Sequence, residues 1–256
     1  KDRGNTSVEE TKQRIVVKVG TSTLTHDSGT LDLRSMEHLV RVLADLSGAG
    51  HEITLATSGT SAVGTARLRL GERPTELRMK QAAAAVGQCR MMHIYDKLFA
   101  EYNRTVAQIL LTGEDVESPV RSEHLHNTFE ALLELGVIPV VNENDSVSSA
   151  EIETGQCKVL GDNDTLSAIV ARLCGAGLLV LFSDIDGLYD ADPRTHPDAR
   201  LIHQVEAITP ELRAMAGGAG TWRGTGGMAT KLSAARIAMA AGCDMVITNG
   251  QRMEDL

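Results

Sequence analysis

Two lysines, several acids and three glycine-bearing turns are the residues of this chain whose types and spacing could do chemistry. Lys18 ends the β-branched run "RIVVK" and is followed closely by Gly20, Thr21 and Ser22. Lys231 ends "GTGGMATK", ahead of the alanine-rich helical pattern "LSAARIAMAAG". This second stretch is not a Walker A loop, which needs glycine directly before the lysine and a hydroxyl directly after it. Thr230 and Leu232 occupy those places. Its physics is still that of a phosphate cradle: small residues let backbone N–H groups approach an anion, and a lysine stands at a helix start. "SGTSAVG" (58–64) adds a glycine turn, and acids fall in "NEND" (142–145), "GDND" (161–164) and "SD" (183–184). Gathered on one edge, lysines, acids and glycine amides suit phosphoryl transfer, where catalysis is positioning plus stabilisation of charge on the moving group.

The elements that must position these residues follow from hydrophobic periodicity. Apolar runs such as "RIVVKVG", "EITLATSG", "TVAQILLT", "VIPVVNEND", "LLVLFSD" and "DMVITNG" read as strands. Helical patterns separate them, including 31–50, the stretch "ELRMKQAAAAVGQCRMMHIYDKLFAEY", "HLHNTFEALLELG", "NDTLSAIVARLCGAG" and "TKLSAARIAMAAG". Continuous apolar strands alternating with helices predict an α/β fold whose largely parallel sheet is covered on both faces. Ligands in such sheets sit at the carboxyl ends of strands, where Lys18, Ser58, "NEND" and Ser183 all fall. Residues 186–205 break the rhythm with prolines and turn residues and predict a hairpin-like excursion. No linker or repeat divides the chain, so residues 14–256 read as one domain behind a tail over 1–13.

Each candidate has a plainer reading. Lys18 could snorkel from an edge strand, "GDND" could be only a helix N-cap, and "SGTSAVG" could be a tight turn. "GTGGMATK" could be a surface loop. His124 and His126 have no partners to complete a metal set and read as surface or capping residues. Asp190 and Asp192 read as turn chemistry before Pro193. The cysteines Cys89, Cys157, Cys174 and Cys243 lie far apart and read as free thiols of a reducing, cytoplasmic setting.

Composition removes other classes. A net charge of −9 argues against nucleic acid or an anionic membrane as partner, while leaving room for a local cationic site. Aromatic residues make up 3% of the chain, too few for base-stacking platforms. No apolar run approaches the roughly 20 residues that span a bilayer.

Taken together, "VVKVGTSTLT", "KQAAAAVGQ", "VAQILLT", "PVVNEND", "GDNDTLSAIVA", "SDIDGLYDADPR", "GTGGMATKLSAARIA" and "AGCDMVIT" resemble the bacterial glutamate 5-kinases of the amino acid kinase superfamily. The resemblance runs from about Arg14 to Gly250. It implies a three-layer α/β/α sandwich with a mainly parallel central sheet. The implied reaction is ATP-dependent phosphorylation of the γ-carboxylate of L-glutamate, the first step of proline synthesis. Lys18 matches the lysine at the transferring phosphoryl group, Lys231 a second lysine on the phosphate side, and Asp164 an aspartate that orients both. Thr225, Gly226, Gly227, Met228, Ala229, Thr230 and Lys231 match an ATP-contacting loop, with Ser183 and Asp184 as a nucleotide-contacting pair. Ser58, Asp145 and Asn163 match glutamate-binding residues, Asp162 joins them, and amides around Gly20, Thr21 and Gly59 cradle the moving phosphate. Mg²⁺ is expected on the ATP phosphates, with no side-chain metal ligand.

The resemblance also implies a homodimer or homotetramer, with a contact surface on the helix over Met79–Tyr102. Proline is the expected feedback inhibitor, and the labile product implies handover to a glutamyl phosphate reductase. Three departures stand out. "TSGTSAVG" replaces the usual "SSGAIAAG", the 145–161 loop is several residues longer, and the sequence stops at "NGQRMEDL" before the C-terminal PUA domain that many members carry, as expected of either a short form or a chain whose end is missing. The alternatives are an acetylglutamate, aspartate, carbamate or uridylate kinase, a non-catalytic proline-binding regulatory chain, or the kinase half of a bifunctional protein.

Overall fold

A computed structural model describes residues 12–147, 160, 162–216 and 227–256. Its centre is a six-stranded parallel sheet built from β1 (Arg14–Lys18), β2 (Glu52–Ala56), β3 (Val106–Leu111), β4 (Ile138–Glu143), β5 (Leu178–Ser183) and β8 (Asp244–Asn249). Their order is β3-β4-β2-β1-β5-β8, so the first strand is central, flanked by β2 and β5. The excursion over 186–205 forms a separate antiparallel pair, β6 (Leu188–Tyr189) with β7 (Leu201–Ile202), as the turn residues predicted.

The strands are apolar on both sides because both sides are covered. Side chains alternate across a strand, so Val16 enters one core and Ile15 and Val17 the other. The first core is closed by α6 (Pro119–Glu134), α7 (Asn163–Leu173) and α9 (Met228–Ala240), through Phe129, Leu166, Ile169, Val170, Ala234 and Ala238. The second is closed by α2 (Leu33–Gly48) and α4 (Leu77–Glu101), through Met36, Leu39, Leu43, Met91, Tyr95 and Phe99. Met253, in a short 3₁₀ turn, joins the second core. The result is the expected three-layer α/β/α sandwich. Short helices α1 (Thr21–Leu24), α3 (Thr60–Arg67), α5 (Gly113–Glu117) and α8 (Pro210–Ala216) fill the connections.

At the start of the sheet, Arg14 ties β1 to its surroundings. Its guanidinium pairs with Glu52 at 2.7 Å and with Glu130 of α6, and donates to the carbonyl of Cys174. Burial pushes the Glu52 carboxyl up, but Lys12 and Arg14 outweigh it and hold it below its ordinary range, and Arg14 does the same for Glu130. Lys12 also pairs with Glu52, so residues 12 and 13 of the expected tail already belong to the fold. His126 bridges α6 to the end of α7, its Nδ1 lying 2.8 Å from the Leu173 carbonyl.

Among the described glycines, the closest backbone approach lies where α3 crosses α4. A Cβ on Gly64 would stand 1.7 Å from the Ala83 carbonyl oxygen, and one on Gly87 would stand 1.8 Å from the Thr60 oxygen. Two glycines let the backbones touch, and the contact seats the first turn of α3 against α4. In a helix interior, Gly→Ala ordinarily stabilises by about 0.4–1 kcal/mol. At Gly87 the sign should reverse, with Gly87→Ala destabilising by about 1–3 kcal/mol or more through overpacking. Denaturant melts of the two proteins check this; a variant as stable as the parent would show that the crossing is loose.

Candidate active site

The strand alternation that sends Val16 toward α7 sends Lys18 the same way. There it meets Asp164, the second residue of α7, whose carboxylate lies between two lysines. Lys18 Nζ stands 2.6 Å from Asp164 Oδ1 as a charge pair, off the line of a well-directed hydrogen bond. Lys231 Nζ, from the first turns of α9, donates to Asp164 Oδ2 at 2.9 Å, and Thr230 Oγ1 donates to the same oxygen at 3.2 Å. Lys18, Lys231 and Asp164 are 8%, 5% and 1% exposed. Buried lysines are rare without partners, and here two ammonium groups share one carboxylate. Burial pushes the Asp164 carboxyl up, but Lys18 and Lys231 outweigh it and hold it below the ordinary value. The trio carries one net positive charge in a poorly hydrated place, which favours a further anion beside it.

Local sequence explains how these elements reach one point. Asp162 is the N-cap of α7: its Oδ1 accepts from Asp164 N at 2.8 Å and Thr165 N at 2.9 Å, and its Oδ2 from Thr165 Oγ1 at 3.1 Å. The N-cap reading of "GDND" therefore holds for Asp162 and fails for Asp164. Both Asp162 oxygens serve the cap, and the carboxylate accepts three hydrogen bonds there, fewer than the roughly four its lone pairs allow. Asn163 opens α7, half-buried. Small residues on α9, Ala234 and Ala238 among them, let that helix lie close against α7.

Two turns flank Lys18. Gly20 caps α1, and the place its Cβ would take lies 3.7 Å from Lys18 Nζ. Gly59 caps α3 with φ of +95°, a left-handed conformation that disfavours a side chain. Its α-carbon faces Thr21, whose Cγ2 would be 3.2 Å from a Cβ there. Ser58 Oγ donates to the Val19 carbonyl at 3.2 Å and lies 3.3 Å from Thr21 Oγ1, stitching the turns together. Behind them the Tyr95 hydroxyl meets Thr57 Oγ1 at 3.0 Å, and burial raises the Tyr95 phenol well above its ordinary range.

On the β2–β4 side of Lys18 a cleft of about 410 Å³ opens beside Asp145. Thr60, Gln88, Gln108, Glu143 and Asn144 are among its polar walls, and Thr60 Oγ1 donates to Asp145 Oδ2 at 3.4 Å. Ser58, Asp162 and Asn163 do not line it. On the β5 side, Ser183 Oγ donates to Asp184 Oδ1 at 3.3 Å, and Asp184 pairs with Arg194 from the excursion. Gly227 caps α9, followed by Met228, Ala229 and Thr230. Thr225 and Gly226 lie outside the described residues, as does most of the 145–161 loop. Among the described residues no group of three or more His, Cys, Asp or Glu could hold a metal. Sequence reasoning missed Thr60, Gln88, Asn142 and Arg194. Only "KQAAAAVGQ" held a faint signal for Gln88, an amide directly after the glycine of a small-residue helix, and Gln81 in the same stretch weakens it.

The sequence matches the amino acid kinase family over residues 13–249. It is 52% identical over 244 residues to a glutamate 5-kinase from Clostridium perfringens, covering 95% of this chain and 90% of that one. A glutamate 5-kinase from Listeria monocytogenes is 50% identical over 93% of this chain and 86% of its own. Among solved structures, carbamate kinase from Giardia lamblia bound to AMP-PNP superimposes with a TM-score of 0.68 at 13% identity, covering 96% of this chain and 95% of that one. UMP kinase from Ureaplasma parvum gives 0.59 at 14% identity, covering 93% and 90%. At such identities these two likenesses concern the fold.

Asp164→Asn would leave two buried ammonium groups facing a neutral amide. The expected cost is about 3–5 kcal/mol, that of breaking a buried ion pair from one side. Because the Asp164 pKa is depressed, its contribution is fully present above the ordinary carboxylate value near 3.9 and is lost as pH falls through the depressed one. Denaturant titrations at neutral pH and down the acid range should show a gap between parent and variant that narrows below about pH 4. A constant gap would mean that the charge of Asp164 is not what the lysines require.

Proposed function

We infer the reaction from family and site together: the chain belongs to the amino acid kinase family and transfers the γ-phosphoryl group of ATP to the γ-carboxylate of L-glutamate. The observation that carries the chemistry is the buried Lys18–Asp164–Lys231 trio. A carboxylate is already a nucleophile at neutral pH, so the reaction needs no general base. A γ-carboxylate oxygen attacks the terminal phosphorus, the bond to the β–γ bridging oxygen breaks, and ADP leaves with its electron pair. The difficulty is bringing two anions together, and positioned cations and backbone amides address it.

In this proposal Lys18 and Lys231 stabilise negative charge on the moving group. Asp164 holds them in place, and the amides around Gly20, Thr21 and Gly59 cradle its oxygens. Ser183, Asp184 and the 225–231 stretch face the nucleotide. Ser58, Asp145, Asp162 and Asn163 serve the acceptor, with the acids Asp145 and Asp162 gripping its α-ammonium group and so selecting an amino acid over a plain dicarboxylate. Mg²⁺, held by the ATP phosphates, would neutralise charge there. The same reading has a cytoplasmic homo-oligomer with contacts along α4. Proline would inhibit it, and a reductase would consume the labile acyl phosphate.

Release of ADP with L-glutamate, compared with N-acetylglutamate, aspartate, carbamate and UMP, tests the reaction. Turnover with another acceptor alone would overturn the substrate while keeping the family. Lys231→Ala should lower kcat by about a hundredfold to a thousandfold, the scale for losing one electrostatic stabiliser, with the circular dichroism spectrum retained. An unchanged kcat would remove Lys231 from the chemistry. Asp145→Ala should raise the KM for glutamate far more than that for ATP; equal shifts would contradict the ammonium contact.

A further inference from the structure

We propose that Gln88 determines acceptor specificity by donating its carboxamide N–H group to the α-carboxylate of the amino acid, an inference that rests on the acceptor reading above. Gln88, on α4, is 9% exposed and lines the cleft shared by Asp145 and Thr60. Its neighbours dictate which way its amide faces. Glu143 N donates to Asn142 Oδ1 at 2.9 Å, and since a backbone N–H can only donate, Asn142 must present oxygen there. The remaining Asn142 group is its amide nitrogen, which donates to Gln88 Oε1 at 3.1 Å. Gln88 therefore spends its oxygen on Asn142, and Nε2 is left over. That nitrogen is buried and has no hydrogen-bond partner among the described residues.

A buried donor without an acceptor is costly and uncommon, so the arrangement asks for an acceptor brought from outside. The cleft explains which kind. Its charged walls, Glu143 and Asp145, suit an ammonium group and repel a carboxylate. The carboxylate carried by the same α-carbon then needs a neutral donor, and Gln88 is held ready by Asn142. Neutrality matters for register. A lysine in this place would also attract the γ-carboxylate and let the acceptor bind reversed, whereas an amide leaves the strong cations to the reacting end.

Steady-state kinetics on Gln88→Glu and Gln88→Met, alongside thermal melts, provide the test. Gln88→Glu keeps an oxygen for Asn142 and replaces the N–H₂ group with a negative oxygen. It should raise the KM for glutamate about tenfold to hundredfold, the range for a hydrogen bond to a charged group. Gln88→Met, which removes the donor without adding charge, should raise it less. The KM for ATP should stay within about twofold in both, because only acceptor binding is altered. A parent protein that does not turn over glutamate would sink the acceptor reading itself. With the parent active, two results would overturn the role of Gln88 alone. One is a glutamate KM unmoved by either change; the other is shifts in both KM values that track the melting temperature, as a purely structural partner of Asn142 would give.

Discussion

One buried carboxylate organises the centre of this protein. Two ammonium groups brought together away from water repel each other strongly, and the Asp164 carboxylate stands 2.6 Å from one and 2.9 Å from the other. That geometry constrains three elements at once. β1 must point Lys18 toward α7, α7 must begin where Asp164 can reach back, and α9 must lie close enough for Lys231 to join. The apolar alternation of β1, the Asp162 cap and the alanines of α9 each meet one of these demands. The site is a consequence of how the layers pack, and its residual positive charge is a property of the fold in a chain that is otherwise strongly acidic.

The proposed acceptor side depends on a different constraint, the backbone contact of α3 with α4. Gly87 lies against the Thr60 carbonyl, Gly59 needs its left-handed conformation to start α3, and Ser58 is tied to Val19 and Thr21. Side chains that line the cleft are thereby referenced to the turn beside Lys18. A shift of the helix crossing would move Thr60 and Gln88 relative to Lys18, and phosphoryl transfer is sensitive to displacements of that size.

Much of this was legible in the sequence, for identifiable reasons. Strands covered on both faces write themselves as continuous apolar runs, so the parallel sheet and its helical layers could be read, as could the hairpin after "SDIDG". Lys18 could be read as unusual because a lysine inside "VVKVG" has to be explained. What residue types alone could not give was partnership; the pairing of Asp164 with both lysines came only from the resemblance. "GDND" holds two aspartates two residues apart, and nothing in their types says that Asp162 caps the helix while Asp164 binds both lysines; the difference is one of helical phase and of what lies across the sheet. The role of Gln88 was hard to read for a related reason. An amide among alanines looks like an ordinary helical surface residue until Asn142, 54 positions away, arrives to fix its orientation.

The order of strands gives the site its polarity. Along the carboxyl edge the sequence of strand ends runs β4, β2, β1, β5, carrying Asp145, Ser58 with Gly59, Lys18 with Gly20, and Ser183 in turn. Neighbouring strands lie about 4.8 Å apart, so the ends of β4 and β5 are separated by three spacings, roughly 14 Å. That span suits an amino acid and a triphosphate meeting end to end, with the reacting atoms above β1. Each substrate can then be recognised on its own half of the sheet without sharing residues with the other. The cations stand at the junction, where negative charge must be concentrated for the phosphoryl group to move. In the proposed reading the acidic cleft on one side and the start of α9 on the other are complementary parts of one arrangement: the first would select by the ammonium group, the second would hold phosphates, and only the middle would have to accommodate both anions.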